Sequence, residues 1–229
     1  MIELRRLTKR FGNAVAVDRI SLKVEREETM VVFGASGCGK TTVLRLVAGF
    51  ERPDAGEIAL DGCVVSQPGR MVPPNRRHVG MVFQDLALWP HMRVRDNIEF
   101  ALKPLRLTRA QRNDRVNRML ERVSLDRRGN CYPAQLSGGE RQRVALARTI
   151  VLEPQIMLMD EPLASLDSVL KEELGTMIRQ LCKQMSMTII YVTHDRGEVM
   201  MMADRVAMMS HGRIEQVGSA QEILADARK

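Results

Sequence analysis

Apolar and polar positions alternate from Ile2 to Val24 on either side of the turn Phe11-Gly12-Asn13, and that period of two predicts a small half-exposed antiparallel sheet. Phe11 is exposed by its place beside the turn. The apolar run Thr29-Met30-Val31-Val32-Phe33 then leads into a glycine-rich stretch, and Thr42-Val43-Leu44-Arg45-Leu46-Val47-Ala48 beyond it is helix-like. Glu57-Ile58-Ala59-Leu60 and Cys63-Val64-Val65 flank Asp61-Gly62, a strong hairpin signal, so the β-rich layer is split around the glycine-rich stretch. Gln67 to Pro74 forms a loop. His78-Val79-Gly80-Met81-Val82-Phe83 predicts a strand ending at Gln84, and Asp85-Leu86-Ala87-Leu88-Trp89-Pro90-His91-Met92 follows as a loop apolar enough to invite a partner.

From Arg93 to Ile150 the period lengthens. Val116, Met119, Leu120 and Val123 share one helical face, and Thr108-Arg109-Ala110-Gln111 is a capping box opening that helix. A separate helical layer is expected, entered near Trp89 and left near Val151. Ile156-Met157-Leu158-Met159 and Thr188-Ile189-Ile190-Tyr191-Val192 are buried-strand patterns, and Ala164-Ser165-Leu166-Asp167 opens a helix running to about Met185. The tail gives a strand near Val206 to Met209, a His211-Gly212 turn, a strand from Arg213 to Val217, and a helix with the capping box Ser219-Ala220-Gln221-Glu222.

At 229 residues and 45% hydrophobic content the chain is an ordinary globular length and composition. No apolar segment approaches the roughly 18 residues of a membrane span, and Met1-Ile2-Glu3-Leu4-Arg5-Arg6 lacks a signal-peptide core, so a soluble cytosolic protein is expected. Cys38, Cys63, Cys131 and Cys182 fall at no metal-ligand spacing and are expected reduced. The net charge of +7 could suit nucleic acid, but the charges are dispersed and aromatics are only 3%, leaving few rings on which to stack bases.

Chemistry concentrates in Gly34-Ala35-Ser36-Gly37-Cys38-Gly39-Lys40-Thr41, which matches G-x-x-x-x-G-K-[ST] between a strand and a helix. Its glycines let backbone N–H groups turn inward at a helix N-terminus, making an anion cradle. Lys40 is placed to reach β and γ phosphates, Thr41 to ligate Mg²⁺, and Thr42 to donate to the α phosphate. Asp160-Glu161 ends a buried strand, where an acid suits Mg²⁺ and its neighbour suits a general base; both could instead cap a turn. His194 ends a second core strand on the same expected edge. In Leu136-Ser137-Gly138-Gly139-Glu140, Ser137 and Glu140 form a capping box. Two glycines directly after the cap cost roughly 1 kcal/mol each in helix propensity, which points to a ligand approaching the backbone.

Taken in order, the phosphate loop, Gln84, Leu136 to Glu140, Asp160-Glu161, Ser165-Leu166-Asp167 and His194 resemble the nucleotide-binding subunit of an ATP-binding cassette (ABC) transporter over essentially the whole chain. Val82-Phe83-Gln84 with Ala87-Leu88-Trp89-Pro90-His91-Met92 is similar to the importer branch that includes maltose, polyamine, sulfate and ferric-iron systems. The resemblance implies an α/β fold: a phosphate-loop NTPase (RecA-like) core and antiparallel β subdomain at about 1–88 and 151–229, and an inserted α-helical subdomain at about 89–150. It also implies that Phe11 stacks on adenine, that Gln84 touches Mg²⁺ and the attacking water, that Asp160 holds Mg²⁺, that Glu161 polarises the water, and that His194 contacts the γ phosphate. Ser137, Gly138, Gly139 and Glu140 would serve a nucleotide held by the opposite subunit, and Asp167 would lie at the dimer seam.

The implied assembly is a head-to-tail homodimer, or a pair with a related ATPase subunit, on the cytoplasmic face of the cell membrane. Integral membrane permease subunits would dock near Gln84 to Met92, with an extracytoplasmic solute-binding protein in the full system and no nucleic acid. Two departures stand out: Glu140 replaces the usual glutamine, and no C-terminal regulatory domain is expected before the chain stops at Lys229. The alternative is a non-transport ABC ATPase acting on nucleic acid or the ribosome, although this chain has neither the paired cassettes nor the coiled-coil insertion usual there. A small-molecule kinase would leave Leu136 to Glu140 unexplained.

Overall fold

The computed structural model describes residues 1–226; the last three positions of the expected domain lie outside them. The alternating opening segment forms β1 (Ile2–Phe11) and β2 (Ala14–Val24), and the apolar run forms β3 (Thr29–Phe33). Helix α1 (Lys40–Ala48) begins inside the G-x-x-x-x-G-K-T motif itself. The hairpin β4 (Ala55–Leu60) and β5 (Cys63–Gln67) turns at Asp61 and Gly62, both at positive φ, as an Asp-Gly two-residue turn requires. The expected 67–74 loop contains a two-residue strand, β6 (Arg70–Met71), which extends that hairpin, and a 3-10 turn follows it.

Strand β7 (Val79–Val82) stops two residues before Gln84. Helices α2 (Val94–Ala101), α3 (Arg109–Arg122) and α4 (Gly138–Ile150) follow, and both expected capping boxes form. Thr108 and Ser137 each accept from the backbone N–H three residues on, and the Gln111 and Glu140 side chains bond back. Then come β8 (Ile156–Asp160), α5 (Ser168–Gln184) capped by Asp167, and β9 (Thr188–Thr193). The sequence reading missed α6 (Arg196–Met202), which is short and carries Gly197 in its first turn; the Asp195 side chain caps it. Strands β10 (Arg205–Ser210) and β11 (Arg213–Gly218) and helix α7 (Ala220–Asp226), with Ser219 and Glu222 bonded as a capping box, complete the described chain.

Packing divides the chain into two units. The first comprises Met1–Met81, Gln155–Glu161 and Ser186–Lys229, the second Val82–Pro154 and Pro162–Met185. The first unit carries an antiparallel sheet in the order β2-β1-β4-β5-β6 and a second sheet in the order β11-β10-β3-β9-β8-β7. Strands β10, β3, β9 and β8 run parallel, which explains why the central ones read as unbroken apolar runs. Its core joins Leu4, Leu7 and Ile58 from the first sheet, Val32, Leu158 and Ile190 from the second, and the buried face of α1. The second unit is helical and takes in α5 as well as α2–α4, since Leu170 and Leu174 of α5 approach Gly139 at the start of α4. Val116, Met119 and Leu120 are buried on α3, as their spacing predicts.

Candidate functional site

Strand β3 feeds the 34–39 loop, and α1 starts immediately after it, so the loop's N–H groups gather at the N-terminal end of a nine-residue helix. Two glycines make that geometry possible. A Cβ on Gly34 would lie 2.1 Å from the Met209 carbonyl oxygen, and one on Gly39, held at φ 108°, 2.2 Å from the Ala16 carbonyl oxygen. Backbone atoms cannot step aside, so only glycine lets the loop nest there. A groove of about 740 Å³ runs along it, lined by Ala16, Gly34 to Cys38, Arg196 and His211 among others. Phe11 does not line this groove; it is 48% exposed, with the Lys9 ammonium 5.0 Å above its ring.

Lys40 is only 4% exposed. Its ammonium donates to the Gly34 and Ala35 carbonyls at 2.8 and 2.9 Å and lies 3.8 Å from Glu161 Oε1. The Thr41 hydroxyl donates to Asp160 Oδ1 at 2.9 Å, which joins the start of α1 to the end of β8. Burial pushes the Asp160 carboxyl above its ordinary value, against the lowering effect of the Thr41 bond. Glu161 sits at φ 45°, a strained conformation for a residue with a Cβ, and its N–H donates to the Val192 carbonyl at 3.0 Å. Its second carboxylate oxygen is 3.1 Å from His194 Nδ1. Because Asp160 pairs with Val192 in the parallel ladder, β8 and β9 end together and deliver Asp160, Glu161 and His194 to one edge. Thus the first unit brings together the phosphate loop, Lys40, Thr41, Asp160, Glu161 and His194.

Thr41 and Asp160 present hard oxygens, which suits Mg²⁺. Among the described residues no cluster of three or more His, Cys, Asp or Glu forms a protein-only metal cage. Magnesium is usually held by one or two carboxylates together with phosphate and water, so this sparse set fits it.

The remaining sequence candidates lie on the second unit. Ser137 is exposed, and its hydroxyl accepts the Glu140 N–H at 3.2 Å. Glu140 returns a bond to the Ser137 N–H at 2.8 Å and receives Arg128 Nε at 2.8 Å; the Ser137 backbone bond leads the effects that hold its carboxyl below the ordinary value. A Cβ on Gly138 or Gly139 would meet nothing closer than 3.6 or 3.5 Å, and neither has positive φ, so packing within the chain does not require glycine at either position. Gln84 is exposed beyond β7.

Two residues that the sequence reading missed shape the loop after Gln84. Asn97, fully buried on α2, accepts the Trp89 N–H at 2.9 Å and donates to the carbonyls of Trp89, Met92 and Arg93. Arg148 of α4 donates to the Ala87 and Leu86 carbonyls at 2.6 and 2.9 Å, and its guanidinium lies 4.9 Å above the Trp89 ring. Trp89 also packs on Phe100, with ring centroids 4.4 Å apart. The apolar loop therefore has a fixed backbone. No periodicity announces this, because the side chains are polar and bond irregular backbone, in the case of Arg148 about 60 residues away in sequence.

Comparison with known proteins agrees with the geometry. The family model described as "ABC transporter" matches residues 17–164. The chain is 46% identical over 223 residues to a spermidine/putrescine import ATP-binding protein of Chromobacterium violaceum, covering 97% of this chain and 61% of that protein. It is 47% identical over 217 residues to a trehalose/maltose import ATP-binding protein of Thermococcus litoralis, covering 94% and 58%. It thus spans about three fifths of the length of these curated relatives. Among solved structures it is similar to a dimeric ATP-binding cassette bound to ADP and Pi in a post-hydrolysis state (TM-score 0.83, 28% identity, 96% of this chain and 99% of that one). It is also similar to a component of the cbiONQ ABC transporter complex of Clostridium perfringens (TM-score 0.87, 26% identity, 99% and 91%). With the family model matching well over half of its residues, the chain belongs to the ABC transporter family.

Proposed function

We propose that this chain is the ATP-hydrolysing subunit of an importer for a small solute or ion, bound peripherally at the cytoplasmic face of a membrane. The observation that carries the reading is the convergence of Lys40, Thr41, Asp160, Glu161 and His194 on the loop at the start of α1. Relatives named for polyamine and for trehalose/maltose import are about equally similar, so the cargo class is no narrower than a small solute.

In this mechanism the loop amides and Lys40 receive the phosphates of ATP, and Lys40 exchanges its two carbonyl partners for phosphate oxygens. Thr41 and Asp160 are the residues that would hold Mg²⁺, which when bound would supply neutralisation of phosphate charge; Gln84 is the proposed contact to the ion and the attacking water. Glu161 accepts the proton of the attacking water. Its two oxygens face Lys40 and His194, and that arrangement, fixed by the Val192 hydrogen bond, aims the carboxylate before substrate arrives. His194, half exposed, is available to the γ phosphate. Phe11, exposed at the end of β1, is the surface on which adenine stacks.

Ser137, Gly138 and Gly139 act on the nucleotide of a second copy, or of a related subunit, arranged head to tail. Two glycines at a helix start, where a Cβ would meet nothing closer than 3.5 Å, are explained by a phosphate that must approach the backbone. Glu140 does not oppose it, because Arg128 and the cap occupy its carboxylate. ATP-driven closure of the pair moves permease subunits docked on the 84–92 loop, whose backbone Asn97 and Arg148 hold rigid. An extracytoplasmic solute-binding protein would deliver the cargo.

The test is Glu161→Gln. It should bind ATP as the native chain does and turn it over about 10²–10⁴-fold more slowly in a phosphate-release assay. Undiminished turnover would remove Glu161 as the base.

A further inference from the structure

Arg77 follows the 3-10 turn Pro74–Arg76, is 5% exposed, and has no carboxylate partner among the described residues. A buried cation without a counter-charge is costly unless its hydrogen bonds offset the loss of hydration. The five donors of its guanidinium are all spent. Nε donates to the Val72 carbonyl at 2.8 Å, and Nη1 to the Leu46 and Val47 carbonyls at 3.0 and 2.7 Å. Nη2 donates to Ser66 Oγ at 2.6 Å and to the Val65 carbonyl at 3.3 Å.

The acceptors are not scattered. Leu46 and Val47 belong to the last turn of α1, which carries the negative end of the helix dipole; the Leu46 carbonyl also accepts the N–H of the cap residue Gly49 at 3.2 Å. Val65 and Ser66 belong to β5, and Val72 follows β6. The cation is therefore stabilised by a helix terminus in place of a carboxylate, and it joins that terminus to the antiparallel sheet. Gly49 makes room for it, since a Cβ there would fall 2.5 Å from Arg77 Nε.

We infer that Arg77 is a positioning residue for nucleotide turnover: its fork fixes the C-terminal end of α1 and, through that short rigid helix, the Lys40–Thr41 end and the phosphate loop. This rests on the reading of the loop as an ATP site. Helix α1 is nine residues long, so a shift at Val47 reaches Lys40 undiminished, and misplacement of about 1 Å at a reacting centre can cost about 100-fold in rate. A lysine, with a point charge and three donors, cannot span the same acceptors.

The test compares the full chain with Arg77→Met, Arg77→Lys and Ser66→Ala. Hydrogen exchange is measured without nucleotide, and binding is measured with a fluorescent ATP analogue and Mg²⁺. In Arg77→Met the amides of 34–48 should exchange roughly tenfold faster while β8 and β9 stay within about twofold, and analogue affinity should fall about tenfold. Ser66→Ala should shift both in the same direction by less, and it decides the matter alone if Arg77→Met does not fold. Even acceleration across helix and strands, unchanged affinity, or full restoration by lysine would each overturn the inference. Failure of the native chain to bind the analogue would instead count against the ATP reading, and the exchange comparison would still judge Arg77.

Discussion

Burial of the Asp160 carboxyl works against the stability of the fold. Burial raises its folded pKa above the unfolded value, so the ionised form is disfavoured in the native chain. The cost is fully present above the raised pKa, shrinks as pH falls through it, and is gone below the unfolded value. Asp160→Asn should therefore raise the melting temperature of nucleotide-free protein at neutral pH, lose that advantage in acid, and abolish Mg²⁺-dependent turnover. A variant less stable than the native chain at neutral pH would contradict the assignment. By the same linkage, Mg²⁺-dependent nucleotide affinity in the native chain should fall at a higher pH than an ordinary carboxylate would dictate.

At the scale of elements, the start of α4 separates stability from use. Gly139→Ala adds a Cβ into ordinary contact with Leu170 and removes a helix-weakening glycine, so thermal unfolding should show stabilisation of up to about 1 kcal/mol. Turnover is tested in Gly138→Ala, whose added methyl meets nothing closer than Leu166 at 3.6 Å and stands on the less buried glycine: it should fall at least tenfold there. Full activity in that variant would leave the glycines without a ligand-based reason. Asn97→Ala should cost about 1–3 kcal/mol by stranding backbone groups of Trp89, Met92 and Arg93, and limited proteolysis should then cut within 84–92.

The elements themselves were legible where local signals agreed. The Asp61-Gly62 turn, the capping boxes at Thr108 and Ser137, the face of α3 and the unbroken strands β3, β8 and β9 each follow from composition and spacing. Helix α6 was not legible, because Gly197 and a seven-residue length hide its period behind the end of β9. Asn97, Arg148 and Arg77 were not legible either. Their roles lie in hydrogen bonds to backbone groups of loops and other elements, and a buried polar side chain resembles a surface one until its partners are known.

At the scale of the whole molecule, each packed unit carries one helix start suited to phosphate: α1 on the first and α4 on the second. Under the proposed function these are halves of two composite sites completed by a second chain. Among the described residues no helix is long and apolar enough to cross a membrane. The most direct test is sedimentation of Glu161→Gln with saturating ATP, with and without the further substitution Ser137→Arg. An ATP-dependent dimer is expected, abolished by the arginine while each chain still binds ATP. A monomer at saturating nucleotide, or a dimer indifferent to Ser137→Arg, would contradict it.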